Sequence, residues 1–201
     1  MQPFNRVTAI AAPLPAANVD TDVIMPKQYL KGVDRNGLED GVLRPLRFDE
    51  AGTLNRDFIL NREGWKDARF LVVGPNFGCG SSREHAVWGL SQLGVRALIG
   101  TSFAGIFFDN CGNNGLLAIT LPEADIAALM EIIADPRRNR LIVDLPAQRI
   151  IADGREFAFE IEPGRKDALI QGLDKVGVTL QYRDEITSFE KAYLAEHPWL
   201  A

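Results

Sequence analysis

The chain has 201 residues, 46% of them hydrophobic and 24% charged, with a formal net charge of −5. This length and composition suit a soluble globular protein with a sizeable core, expected as one domain over residues 1–201. The acidic balance argues against a nucleic-acid partner, so an anionic substrate would need a local cationic site. Two cysteines, Cys79 and Cys111, are too few for a structural zinc site or for the usual ligand set of a cubane iron–sulfur cluster, and no metal ligands are expected in this chain. No apolar run approaches the ~20 residues of a membrane span. Residues 1–6 show no charged-then-apolar leader pattern, so a reduced, cytoplasmic chain away from membranes is expected.

In chain order, residues 6–11 alternate weakly and predict a strand, broken by Pro13 and Pro15. Asn18, Val19, Asp20, Thr21 and Asp22 form a polar, turn-forming segment. Residues 29–41 hold three glycines and no clear period, which predicts a long irregular loop of the kind that often carries function. Residues 45–65 are mixed and predict a short helix or an irregular connection. Residues 70–73, Phe-Leu-Val-Val, read as a buried strand.

The stretch that follows organises the chain: Asn76-Phe77-Gly78-Cys79-Gly80-Ser81-Ser82-Arg83-Glu84-His85-Ala86. Gly78 and Gly80 allow a sharp turn and close approach to a ligand. The apolar positions Ala86, Val87, Leu90 and Leu93 predict a helix beyond it. N–H groups at a helix start favour an anion, and Ser81, Ser82 and Arg83 add polar groups for a carboxylate or phosphate. Ser81 and Glu84 also fit the S-x-x-E capping box, so a plain helix cap and an anion site both stand on local pattern. A Walker loop would need a lysine that is missing here, and a dinucleotide fingerprint would need glycine where Arg83 stands.

Residues 96–100 predict a second strand, parallel to the first. A short helix is expected over 103–110, ended by Cys111, Gly112, Asn113, Asn114 and Gly115. A strand at 116–120 and a helix at 122–134, with Ile126, Leu129, Met130 and Ile133 on one face, come next. Strands at 141–143, 149–151 and 157–159 follow, with Asp153-Gly154 turning between the last two. Helices at 165–173 and 184–196 close the chain. Strands interleaved with helices, then a β-rich stretch, make an α/β fold with a mixed sheet.

Residues 78–86 resemble the G-x-G-S-S-R-E-H-A signature of the swivelling domain of the aconitase superfamily. Asn-Val-Asp-Thr-Asp at 18–22 and Ile-Met-Pro-Lys-Gln-Tyr-Leu at 24–30 resemble the start of the stand-alone small subunits of 3-isopropylmalate dehydratases. Blocks at 102–104, 113–117 and 172–180 continue the resemblance along nearly the whole chain. It implies a compact β/β/α swivelling domain. It implies a hydro-lyase small subunit that interconverts 2-isopropylmalate and 3-isopropylmalate in leucine biosynthesis. Activity would require a large subunit, in a heterodimer or higher assembly, carrying a [4Fe–4S] cluster, with no cofactor bound by this chain. The substrate would be a small dicarboxylate; neither nucleic acid nor membrane is implied.

Residue by residue, the resemblance gives Ser81 the role of catalytic base and Arg83 that of substrate-carboxylate ligand and charge stabiliser. Ser82 is a second substrate-binding hydroxyl, and Gly78 and Gly80 form the anion turn. In the loop after Tyr29, Leu30 and Val33 are the candidates to contact a branched alkyl group, and Arg35 a carboxylate through its planar fork. Glu84 and His85, one turn into the helix, are expected to hold the loop. Two alternatives stay open: a related small subunit for homoaconitate or citraconate, and a non-enzymatic anion-binding module.

Overall fold

The computed structural model describes residues 1–30 and 36–200. Strand β1, Arg6–Leu14, joins two differently paired halves of one sheet. Its first half pairs antiparallel with β5, Arg140–Asp144, in the register Arg6↔Asp144 to Ile10↔Arg140. Its second half pairs parallel with β2, Phe70–Val73, in the register Ala11↔Phe70 to Leu14↔Val73. On the parallel side follow β3, Ala97–Gly100, and β4, Leu117–Thr120. On the antiparallel side follow β6, Arg149–Ala152, and β7, Arg155–Ala158. The order β4-β3-β2-β1-β5-β6-β7 makes a seven-stranded mixed sheet, as the strand and helix alternation implied.

The expected break at Pro13 does not occur. The Ala11 N–H donates to the Asn139 carbonyl on the β5 side, and the nitrogen two residues on points the same way, past the last β1–β5 pair at Ile10. Proline there forfeits no ladder bond, which is where a strand tolerates it.

Both faces of the parallel half are covered. In β2, Phe70 and Val72 enter one apolar cluster, and Leu71 and Val73 enter the other, with the period of two that a strand imposes. Helix α5, Glu123–Ile133, lays Ile126, Leu129, Ile132 and Ile133 on the first face. On the second face lie α1, Thr21–Ile24, α2, Arg44–Arg47, α3, His85–Gln92, and α4, Gly105–Asn113. Helix α4 runs three residues beyond the expected 103–110 segment, because buried Phe107, Asn110 and Cys111 continue its inward stripe. The left-handed residue that ends this stretch is Gly115, at φ +79.

Helix α6, Pro163–Gln171, starts earlier than expected because the Glu162 carboxylate caps it, accepting from the N–H groups of Gly164 and Arg165. Helix α7, Lys175–Leu180, was not expected as a helix; its cap is Asp174, which accepts from the Gly177 N–H. Helix α8, Arg183–Glu196, follows, and after it comes a short 3-10 turn, Pro198–Leu200.

Candidate active site

The glycine turn is threaded between two other segments. On one side, the Gly78 N–H donates to the Val19 carbonyl and the Thr21 N–H to the Cys79 carbonyl, both at 2.8 Å. On the other, the Ala104 N–H donates to the Phe77 carbonyl at 3.1 Å. Gly78 sits at φ +79 against the ring of Phe107, where a Cβ would come within 2.2 Å of the ring. No side chain fits there, so glycine is required by both the backbone and the neighbour. Gly80, at φ +100, turns the chain past Asp20.

Helix α3 begins at His85, with Glu84 at the N-cap position making no side-chain cap bond. Ser81 therefore lies outside the helix and is not its cap, so the capping-box reading is corrected. Glu84 and His85 stand at the helix start, not one turn inside it. The His85 ring rests on Trp88 at 4.6 Å between centroids.

Ser81 Oγ instead collects donors. The Thr21 hydroxyl donates to it at 3.0 Å. Arg83 donates to it from Nε at 2.8 Å, and from its backbone N–H at 3.4 Å. The Arg83 Nη2 donates in turn to Asp22 Oδ1 at 2.5 Å. Asp22 also faces Lys27, 3.8 Å away. Asp20 sets this up from below: its carboxylate caps α1 by accepting from the Val23 N–H at 2.7 Å, which turns Thr21 inward, 3% exposed.

The Nε and Nη2 donors of the Arg83 guanidinium are thus committed to the protein, as is its backbone N–H. Among the described residues Nη1 carries no hydrogen bond, and that outer edge is the one left for a carboxylate. The Ser82 carbonyl accepts from Asn110 Nδ2 at 3.1 Å, which leaves its hydroxyl on the exposed side of the turn.

An open concavity of about 490 Å³ is lined by Gly78, Gly80, Ser81, Ser82 and the start of α4 from Ala104 to Phe107. Ala104, the N-cap of α4, makes no side-chain cap bond. The first-turn N–H groups of α4 have no intrahelical partner, so the anion-favouring helix end at this concavity belongs to α4, not to the helix that follows the motif. Sequence reasoning missed α4's role and the contacts of Thr21 and Asp22. The density of polar residues at 18–22 was the one signal that pointed there.

The other named residues fall elsewhere. Leu30 is half-buried and packs against the core cluster under α3. Val33 and Arg35 lie outside the described residues. Cys111 is fully buried, and burial pushes its thiol far above the ordinary range, so it keeps its proton. Cys79 stands half-buried in the turn. Among the described residues no group of three or more His, Cys, Asp or Glu side chains is placed to hold a metal ion. One buried, protonated thiol and one isolated thiol do not fit the ligand needs of an iron–sulfur cluster.

Residues 1–124 match the family model of the aconitase C-terminal domain. Residues 176–201 match that of the C-terminal domain of 3-isopropylmalate dehydratase small subunits. The chain is 56% identical over 200 residues to the 3-isopropylmalate dehydratase small subunit 1 of Mannheimia succiniciproducens, covering 100% of this chain and 99% of that protein. It is 50% identical to small subunit 2 of the same enzyme from Salmonella typhimurium, covering 100% and 96%. A crystal structure of the 3-isopropylmalate dehydratase of Methanocaldococcus jannaschii superposes with a TM-score of 0.65 at 27% identity, over 92% of this chain and 99% of that one. Identity at this level along the whole chain, on the same fold, places the chain in the 3-isopropylmalate dehydratase small-subunit family of the aconitase superfamily.

Proposed function

We propose that this chain supplies one half of a hydro-lyase active site that interconverts 2-isopropylmalate and 3-isopropylmalate in leucine biosynthesis. The large subunit supplies the other half. The observation that carries this reading, beside the family, is the convergence of the Thr21 hydroxyl and two Arg83 N–H groups on Ser81 Oγ.

A serine hydroxyl is a weak base in water. Donors aimed at its oxygen stabilise the anion more than the neutral hydroxyl, and one of them here is cationic. The Ser81 alkoxide takes a proton from a carbon beside a substrate carboxylate and becomes a hydroxyl. The C–H electron pair forms the double bond as the C–O bond at the neighbouring carbon breaks and hydroxide leaves. Rehydration runs the same steps with the carbons exchanged, and Ser81 returns its proton to carbon. Arg83 Nη1 and the first turn of α4 hold carboxylate oxygens, and Ser82 donates from the rim.

In this reading the cluster implied by the family resemblance belongs to the large subunit, which is supported by the poor fit of this chain's donor set to an iron–sulfur cluster. No helix among the described residues is long and apolar enough to cross a membrane. Assembly as a heterodimer or higher, in the cytoplasm, completes the reading.

The test is reconstitution of the purified chain with its large subunit, assayed on 3-isopropylmalate, homoaconitate and citraconate. Turnover of 3-isopropylmalate that needs both chains is expected. Preference for another substrate, or no turnover by a verified complex, would overturn the assignment.

A further inference from the structure

Helix α8 is amphipathic, yet none of its residues is buried. Tyr182, Ile186, Phe189 and Tyr193 recur at spacings of four, three and four, so they form one stripe. Phe189 is 66% exposed and Trp199 74% exposed. The rings brace one another in series. Phe189 stacks on Tyr193 at 5.5 Å, Tyr193 meets His197 edge-on at 4.5 Å, and His197 meets Trp199 at 5.1 Å. An aromatic series held by its own contacts in this way loses little freedom when a partner covers it. Tyrosine and tryptophan are also the side chains that dominate binding hot spots.

We infer that this aromatic face of α8 and the following turn is the docking surface for the large subunit, an inference that rests on the two-chain reading above. The area fits: the exposed aromatic and leucine side chains from Tyr182 to Leu200 offer on the order of 600 Å², most of the ~800 Å² that one partner gives to a specific interface. The charge selects the occupant. Glu185, Glu190 and Glu196 border the stripe against Arg183 alone, Asp184 and Lys191 lying on the opposite side of the helix, and the chain as a whole carries −5. Two copies joined through this face would bring like charges together, whereas an apolar groove with a basic rim complements it. The match of residues 176–201 to a module of small subunits, separate from the aconitase-type match at 1–124, agrees that this tail belongs with chains that work beside a separate large one.

The experiment measures the affinity of the full chain for the isolated large subunit, by sedimentation or calorimetry, without reference to catalysis. Substituting Phe189, Tyr193 and Trp199 together by alanine is expected to weaken binding at least 100-fold with an unchanged melting temperature. At saturating large subunit, kcat should stay at the wild-type level. If the triple variant melts early, Phe189→Glu alone, at a surface position, carries the test and is expected to weaken binding at least 10-fold. Affinity within about 3-fold of wild type would overturn the inference. So would a wild-type chain that self-associates through this face and loses that self-association in the variant. A complex that forms through α8 but does not turn over 3-isopropylmalate would overturn the proposed function and leave the docking surface standing.

Discussion

The Thr21 hydroxyl donates to Ser81 Oγ across 3.0 Å, from sixty residues away in the chain. That bond separates two roles for Ser81 that local pattern treats alike. A capping serine would accept from a helix N–H two or three residues on; Ser81 stands ahead of the helix, its bond from the Arg83 backbone N–H is long at 3.4 Å, and its shorter ones come from a distant hydroxyl and from a guanidinium. Ser81→Ala is therefore expected to lower kcat of the assembled enzyme roughly 100-fold or more. It should not show the ~1 kcal/mol loss of a deleted helix cap. Turnover and melting temperature measured on one preparation decide it: an early melt with near-normal kcat would return Ser81 to a structural role.

Asp22 positions Arg83. The pair is partly exposed, 32% for Arg83 and 47% for Asp22 at the side chain, so its own contribution to stability is small. Its effect is geometric, because it fixes the guanidinium that donates to Ser81. Asp22→Asn is expected to cut kcat/KM by about 10- to 100-fold, the range that a misplacement of about 1 Å produces, at an unchanged melting temperature. Arg83→Lys removes the Nε donor and cannot reach both partners. The double variant should be no worse than Arg83→Lys alone, since both act through one group. Additive losses would show that Asp22 acts independently of Arg83.

Gly78 is held by the Phe107 ring. Gly78→Ala would place a methyl 2.2 Å from that ring, at a φ of +79. Left-handed backbone alone costs an L-residue about 1–2 kcal/mol, and the ring adds to that. A clear drop in stability to denaturant is expected, and the paired change Phe107→Ala, which removes the ring atoms met, should make the combined loss smaller than the sum of the two single losses. A single variant as stable as wild type would mean that the turn and α4 can move apart.

Acid sensitivity should appear at the cap of α6. The Gly164 and then the Arg165 N–H groups hold the Glu162 carboxyl below its usual range. A depressed folded-state value stabilises the fold above the ordinary carboxylate range, and that stabilisation is lost as pH falls through the folded value. Glu162→Gln is thus expected to melt earlier than wild type at neutral pH, with the gap closing as the solution is acidified. A gap that stays constant with pH would rule out the charged cap.

Substrate choice is tested at Val33. The isopropyl group needs apolar contact, and Val33 and Leu30 are the branched aliphatics of the loop between Tyr29 and Asn36. Val33→Arg is expected to lower the preference for 3-isopropylmalate over homoaconitate by about 10- to 200-fold, the worth of a few methyl contacts. The ratio of the two kcat/KM values reads it, and an unmoved ratio would assign the choice to the large subunit.

The sequence by itself determined the elements whose signal is local. Phe70 to Val73 is apolar without interruption because the strand is buried on both faces, and Asp153-Gly154 is a hairpin turn because both residues tolerate left-handed backbone, here φ 47 and 78. The glycine turn was legible for the same reason. Only the tertiary structure decided that Pro13 lies inside a strand, since a proline's cost depends on whether its missing N–H faces a partner. It also decided that Ser81 is no cap, that the helix end at the concavity is that of α4, and that Thr21 and Asp22 meet the motif. The periodicity and turn chemistry of a segment are properties of its own residues. Which carboxylate meets which guanidinium is a property of two segments brought together by packing, and Asp22 and Arg83 lie 61 residues apart.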